Sequence, residues 1–263
     1  MTIDFTKMTI YELFALILAT IAIFIPVIQW VWKKWMVKPR LSFYSTGQAA
    51  LFFNQSGSYI RLNGVLESKN KAITLKKLRL KITRKKDDKK LNLTWSKLIS
   101  PVNQSIVGGI AQTAQTTETA HPIRVDADKI VCVFAEYSDS FDSFGKKFRE
   151  NTKLLFERIP QYMQSGLDYD GAKQAFQGEH DYSTVYNELK TEFYWDVGEY
   201  KLDLDVDFDE SSKHFSFELV INEQDHRLLS ANVEESLMTP LKIRYYIQPS
   251  YNTPIVEIKA TET

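Results

Sequence analysis

The sequence predicts a mainly β protein of the α+β class, with a single N-terminal transmembrane helix followed by an immunoglobulin-like β-sandwich that carries a helical insertion. Three observations predict this fold. The stretch from Leu13 to Trp32 contains no charged residue. Many short segments after residue 40 alternate apolar and polar side chains, as half-buried strands do. Between about 141 and 194 the apolar spacing becomes helical, which predicts the insertion.

The predicted boundaries place a short extracytoplasmic N-terminus at 1–9, an anchor helix at 10–35, a basic linker at 36–40 and one cytosolic domain at 41–263. At 1.5 Å per residue, a helix made of the charge-free stretch is about 30 Å long, the thickness of a hydrocarbon core. Aromatic and basic residues of the kind that anchor helices at membrane interfaces lie at its end: Trp30, Trp32, Lys33, Lys34 and Trp35.

The charges beside the helix predict its orientation. Lys33, Lys34, Lys38 and Arg40 follow it, and such residues are retained on the cytoplasmic side. We therefore expect a single-pass protein of the plasma (inner) membrane of a bacterium, with the N-terminus outside. A cleaved signal peptide is the alternative. The basic cluster lies on the wrong side for one and no small-x-small cleavage site follows, so the sequence favours an uncleaved anchor.

Strand patterns fill the first half of the domain. We expect two short strands between 41 and 54, and a third over Tyr59–Leu66. Residues 75–82 alternate apolar and basic side chains, and the pattern returns over Leu91–Trp95 after a charged turn, which predicts a hairpin with a basic outer face. The polar segment 101–122 is predicted to be a long loop, either a lip over a binding surface or an inert connection.

The second half mixes helices and strands. The apolar run Lys129–Tyr137 predicts a strand that is covered on both faces, and two or three helices follow it. Strands are then expected over 195–208 and 214–222, a short helix over 225–235, and two last strands over 241–248 and 255–259.

A short segment adds to the prediction of a sandwich. Trp195-Asp196-Val197-Gly198-Glu199-Tyr200-Lys201-Leu202 resembles the start of a late strand in immunoglobulin-like sandwiches. The resemblance covers about ten residues and implies a fold only, not an activity.

Charge is divided unevenly along a chain whose formal net charge is zero. Residues 41–100 contain 13 Lys and Arg against 3 Asp and Glu, whereas residues 195–263 contain 6 against 14. The candidate surface for an anionic partner comprises Lys76, Lys77, Arg79, Lys81, Arg84, Lys85, Lys86, Lys89 and Lys90. The favoured alternative is structural: the basic and acidic strands lie side by side and pair across one sheet.

No local motif predicts catalysis, a cofactor or a metal site. The nucleotide-binding glycine motifs and the nucleophile elbow are missing from the sequence, and the four histidines show no paired spacing. We interpret the alternating acidic run Asp203–Asp209 as a solvated strand face or a partner for the basic hairpin. Cys132, the single cysteine, lies in an apolar strand and is expected to be an inert core thiol.

We therefore expect no enzyme and no cofactor. The favoured function is a non-enzymatic binding or scaffold protein that is anchored in the bilayer and presents a cytosolic sandwich to a protein partner, in the manner of bacterial signalling or anti-phage components, an analogy of architecture alone. The alternative is a membrane-tethered protein that binds nucleic acid or a nucleotide ligand through the hairpin Lys76–Lys90.

Overall fold

The computed structural model describes residues 9–32, 37–99, 103–107, 110–114 and 117–261. In these ranges the elements in chain order are α1 (Ile10–Val31), β1 (Arg40–Asn54), β2 (Gly57–Lys69), β3 (Ile73–Arg84), β4 (Lys90–Ile99), β5 (Asn103–Val107), β6 (Ile110–Ala114), β7 (Thr117–Thr119), β8 (Ile123–Val125), β9 (Lys129–Ser138), α2 (Ser143–Phe156), α3 (Ile159–Gln164), α4 (Tyr169–Gln177), α5 (His180–Glu192), β10 (Gly198–Phe208), β11 (Ser211–Ile221), α6 (Glu223–Arg244) and β12 (Ile255–Ala260).

Eight antiparallel strands close into a barrel, so the predicted immunoglobulin-like sandwich is wrong. Around the barrel the strands follow the order β4, β9, β2, β1, β12, β11, β10 and β3, and β3 pairs back to β4. Alternating apolar and polar residues indicate that a strand has one buried and one exposed face. Strands of sandwiches and of barrels both have this pattern, so it does not distinguish the two folds. Closure depends on pairings between distant residues, such as Ala49 with Val256. The segment 195–202 accordingly leads into the barrel strand β10.

Apolar side chains fill the barrel. The fully buried ones include Leu51, Ile60, Leu62, Leu66, Leu75, Leu78, Leu80, Ile82, Leu202, Leu204 and Val206. Except between Leu75 and Leu78, where the register of β3 against β10 shifts, they come from alternate positions of the strands, because successive side chains of a strand point to opposite faces. The interior is a packed core, so any site for a ligand has to lie in the wall or at an end.

Helices α2 to α6 lie at one end of the barrel. This helix end holds the β1–β2 turn and the last residue of β9, and helix α6 packs on β1. The indole nitrogen of Trp195, which is fully buried, donates to the carbonyl of Phe52 at 2.8 Å. The opposite end, which we call the anchor end, is where Arg40 pairs with Lys69 and where the chain arrives from α1. Where the sequence predicts two or three helices, between 141 and 194, the structure has four, α2 to α5.

Several local predictions hold and others are wrong. The hairpin of β3 and β4 forms as predicted. The two strands predicted between 41 and 54 are one strand, β1, with a register shift between Ser45 and Ala49. The predicted strand over 241–248 is instead the end of α6 and the residues after it. Part of the predicted loop 101–122 forms the strands β5 to β7.

The first residues of β9 are exposed on the outer face of the strand, because a barrel wall has solvent on that side. Ile130 is 66% exposed and the thiol of Cys132 is also exposed. The prediction that Cys132 is a core thiol is therefore wrong.

Helix α1 is a single apolar helix, long and apolar enough to cross a membrane. None of its apolar window, Phe14–Val31, is buried against the rest of the protein. Trp30 and Trp32 are each 59% exposed. The predicted anchors Lys33, Lys34 and Trp35 lie outside the described residues, so the structure does not test them.

Candidate functional site

The basic and acidic strands are neighbours, which confirms the structural alternative for the charge division. Strand β3 pairs with β10 in a register that sets basic side chains opposite carboxylates: Lys77 opposite Asp207, Arg79 opposite Asp205 and Lys81 opposite Asp203. Opposite charges at such cross-strand positions stabilise a sheet. Much of the positive charge that the sequence assigned to an anionic partner therefore has a partner within the chain.

Ion pairs neutralise four of the nine basic residues of the hairpin, namely Arg79, Arg84, Lys85 and Lys86. Arg79 contacts Asp207 at 2.9 Å, and Lys85 bridges Glu199 and Glu218 at 3.1 and 2.9 Å. The ammonium group of Lys76 donates to the carbonyl oxygen of Asp209. Contacts of this kind on the surface contribute little to stability, but they occupy the charges.

Arg84 is buried among partners at the hairpin turn. Its guanidinium binds Asp87 at 2.6 Å and Asp196 at 3.5 Å, and lies over the Tyr194 ring at 5.8 Å. The hydrogen bond from Arg84 lowers the pKa of the Asp87 carboxyl. Burial would raise the pKa of Asp196, but the hydrogen bond from Lys86 and the backbone bond from Val197 outweigh it and lower that pKa. Arg84 is thus structural.

Three lysines of the hairpin remain without an ion-pair partner on one side of the barrel. Lys81, Lys89 and Lys90 are exposed, and none of them forms a salt bridge within the described part of the chain. Lys77 also lacks one there, but it lies towards the anchor end. The three lysines all border the same depression in the barrel wall.

This depression, the β4–α2 groove, has a volume of about 800 Å³. It is bounded by Lys89 and by β4 as far as Thr94, by the β1–β2 turn and by the first turns of α2. It exists because β9 ends at Ser138, where it pairs with Thr94, so the wall opens beside the first half of β4. Its volume lies within the range of sites that bind small molecules.

The floor of the groove is apolar. Leu80 and Leu93 are buried there and Leu91 is half-buried. The Phe144 ring lies edge-on to Phe53, with centroids 5.5 Å apart. A ligand in the groove would therefore contact apolar side chains below and ammonium groups at the rim.

The amides at the start of α2 are already occupied by a carboxylate. Asp139 accepts from the amides of Phe141 and Ser143 at 2.9 and 2.8 Å. Burial would raise the pKa of Asp139, but these hydrogen bonds outweigh it and hold that pKa below its usual value. An anion is therefore expected at the lysines and not at the helix N-terminus. The Phe141 side chain, 77% exposed, lies at the rim.

Two further polar groups line the groove. The Ser58 hydroxyl is buried and has no hydrogen-bond partner among the described residues. Such an unsatisfied buried group is uncommon and suits a polar atom of a ligand. Lys147 is paired with Glu192, whose carboxylate raises the pKa of the Lys147 ammonium.

A serine–histidine–aspartate chain lies on the outer face of β10 and β11. His214 contacts Asp205 at 2.8 Å through Nδ1 and Ser216 at 3.0 Å through Nε2. Ser216 is only 7% exposed and donates its hydrogen to Asp203 at 2.6 Å, so it can only accept from His214. A histidine that donates to the serine cannot remove its proton, so this geometry does not support nucleophilic catalysis.

Sequence reasoning found the lysines but missed the rest of the groove. Phe144, Ser58 and Phe141 carry no motif, and their convergence depends on where β9 stops. Among the described residues, no group of three His, Cys, Asp or Glu side chains could hold a metal ion. Comparison of the chain with known protein families, characterised proteins and solved structures finds no significant match.

Proposed function

We propose that this chain is a membrane-anchored, non-enzymatic binding protein, whose barrel lies on the cytoplasmic side and takes an anionic ligand in the β4–α2 groove. One observation carries the proposal. The protein's own carboxylates pair Arg79, Arg84, Lys85 and Lys86 of the basic hairpin, whereas Lys81, Lys89 and Lys90 remain unpaired in the described part of the chain and border one groove with an apolar floor.

Membrane attachment is supported by α1. An apolar helix of this length with no buried face gains its stability from lipid and not from packing on the barrel. The basic residues that follow it favour a cytoplasmic barrel. The anchor would hold the groove near the inner face of the membrane, where it could present a bound ligand or partner.

Three lysines suit a ligand of limited size. An extended nucleic-acid footprint needs a longer row of free cations, because affinity for phosphates grows with the number that are neutralised. The carboxylates of Asp203, Asp205 and Asp207 lie opposite the cations of β3, so negative charge interrupts such a row. The lysines could also serve only to keep a free strand edge soluble, a purely structural role.

A binding measurement separates these roles. Full-length protein in detergent or nanodiscs would be titrated with fluorescent ATP and with a fluorescent acidic peptide, at low and high salt. We expect binding of at least one anion that weakens with salt and falls about tenfold in the variant Lys81→Gln/Lys89→Gln/Lys90→Gln, since each exposed charge contributes up to about 1 kcal/mol. The matched control Lys129→Gln/Lys153→Gln/Lys213→Gln removes equal charge elsewhere. Equal loss in both variants, or no binding of either anion, would refute the proposal.

A further inference from the structure

The first half of β4 is an open strand edge within the barrel wall. Strand β4 pairs with β3 from Lys90 to Thr94, but its pairing with β9 begins only at Thr94. A register shift between Trp95 and Lys97 accompanies the change of partner. In the part of the chain that the structure describes, no strand covers the other side of residues 90–93, and that side faces the β4–α2 groove.

The backbone groups that point into the groove can be assigned from the hairpin register. The amide of Arg84 donates to the carbonyl of Lys89 at 3.0 Å, and these two residues lie opposite each other. Hydrogen-bonded pairs alternate along an antiparallel ladder, so the backbone groups of Leu91 and Leu93 face β3. Those of Lys90 and Asn92 face away from it, and two amides and two carbonyls are therefore directed into the groove.

The side chains beside this edge alternate in chemistry. Leu91 and Leu93 point to the apolar floor, whereas Lys90 and Asn92 are exposed. A strand added alongside β4 would place one set of its side chains on the floor and the other set near the lysines. Added strands gain affinity from main-chain hydrogen bonds and specificity from alternate side chains.

We infer that the ligand of the groove is an extended segment of a partner protein, with alternating acidic and apolar residues, which pairs with β4 as an additional strand. The inference rests on the proposed function, because it assigns a class to the anionic ligand. A nucleotide would engage the lysines but would leave the amides and carbonyls of Lys90 and Asn92 unused. The lysines also disfavour indiscriminate strand pairing, so they select an acidic segment.

N-methylation of a peptide tests strand addition directly. The probe is a fluorescent, N-acetylated heptapeptide of alternating Glu and Val, titrated into full-length protein in nanodiscs. Two methylated versions carry N-methyl groups on the odd or on the even residues, which removes the amide donors along one edge only and keeps the charge. We expect one version to lose at least tenfold in affinity and the other to bind like the parent peptide. Equal binding of all three peptides would overturn the inference.

A protein variant provides the complementary test. Asn92→Pro removes the amide that points into the groove and leaves the bonds to β3 in place, since proline is tolerated on a free strand edge. We expect it to weaken the peptide at least tenfold, whereas the matched Asn92→Ala keeps the amide and binds as the native chain does. Circular dichroism of both variants checks the fold, and if Asn92→Pro does not fold, the methylated peptides decide.

If ATP binds in a lysine-dependent manner and the peptide does not, strand addition is wrong but the proposed function stands. If neither binds, both fall.

Discussion

At the scale of single residues, Tyr246 occupies a backbone conformation that suits glycine. It follows α6 with a φ of 57° and is 97% exposed. The amide of Ile247 donates to the carbonyl of Lys242 at 2.8 Å, the bond that closes a helix of this type with a left-handed residue. A tyrosine there is strained and gains no contact in return.

We therefore expect Tyr246→Gly to stabilise the protein by about 0.5 to 1 kcal/mol, because glycine adopts this conformation without strain. Urea denaturation of the purified protein would measure the gain. Tyr246→Ala keeps the strain and should show none; a loss of stability in the glycine variant would contradict the argument.

Asp203 makes stability depend on pH. Its carboxylate accepts from Ser216 at 2.6 Å and contacts Lys201 at 2.9 Å. Burial would raise its pKa, but these two hydrogen bonds outweigh it and lower the pKa. The folded state then binds fewer protons than the unfolded state near pH 4, so the contribution is present above that pH and is lost as the pH falls through the lowered pKa.

We expect Asp203→Asn to be less stable than the native protein at pH 7 and to lose less stability on acidification. Thermal unfolding from pH 7 to pH 3 would show the two curves converging in acid. The exposed substitution Glu150→Gln should leave the native profile unchanged, and parallel curves for Asp203→Asn would refute the assignment.

At the scale of elements, strands with a clear two-residue period and the first half of helix α6 could be predicted, whereas the second half of α6 could not. Residues 241–248 alternate like a strand, and Pro240 suggests a break. In the structure α6 continues through Pro240. Proline leaves the carbonyl of Ser236, four residues earlier, without its helical donor, and Gln55 supplies one from the β1–β2 turn at 3.0 Å. That donor is 181 residues away, so no local pattern could reveal it.

Replacing Gln55 with alanine should therefore destabilise the protein by about 1 to 2 kcal/mol, since Ser236 is buried and its carbonyl would lose a partner. In a Pro240→Ala background the helix supplies its own amide, so the same replacement should cost much less. A double-mutant cycle by urea denaturation measures the difference. Equal costs in the two backgrounds would show that Gln55 does not compensate for the proline.

The groove, too, could be predicted only in part from the sequence. Its lysines belong to a cluster that the sequence shows plainly, and pairing with an acidic strand could be foreseen as an alternative. Which lysines stay unpaired depends on the register of β3 against β10, and the opening depends on β9 ending at Ser138. Both are set by contacts between distant segments.

At the scale of the whole molecule, the exposed thiol of Cys132 provides a test of the side of the membrane on which we propose that the barrel lies. If the barrel is cytoplasmic, a membrane-impermeant maleimide should label Cys132 only after cells are permeabilised. Replacing Lys33, Lys34, Lys38 and Arg40 with glutamine removes the orientation signal, so part of the protein should then be labelled in intact cells. The variant Cys132→Ser, which lacks the thiol, is the negative control for labelling. Labelling of the native protein in intact cells would place the barrel outside.

Strand β12, which pairs with β1, is synthesised last, so the barrel can close only late in synthesis. Residue 256 pairs with residue 49, so a ribosome must release nearly the whole domain before β1 acquires its second neighbour. Until then β1 and β11 carry open edges, and in the membrane-anchored form that we propose, α1 already confines the nascent chain to a membrane surface shared with other copies. Such non-local closure is slow and exposes edges that can pair between chains. Each copy therefore passes through an interval in which correct closure competes with pairing to a neighbour.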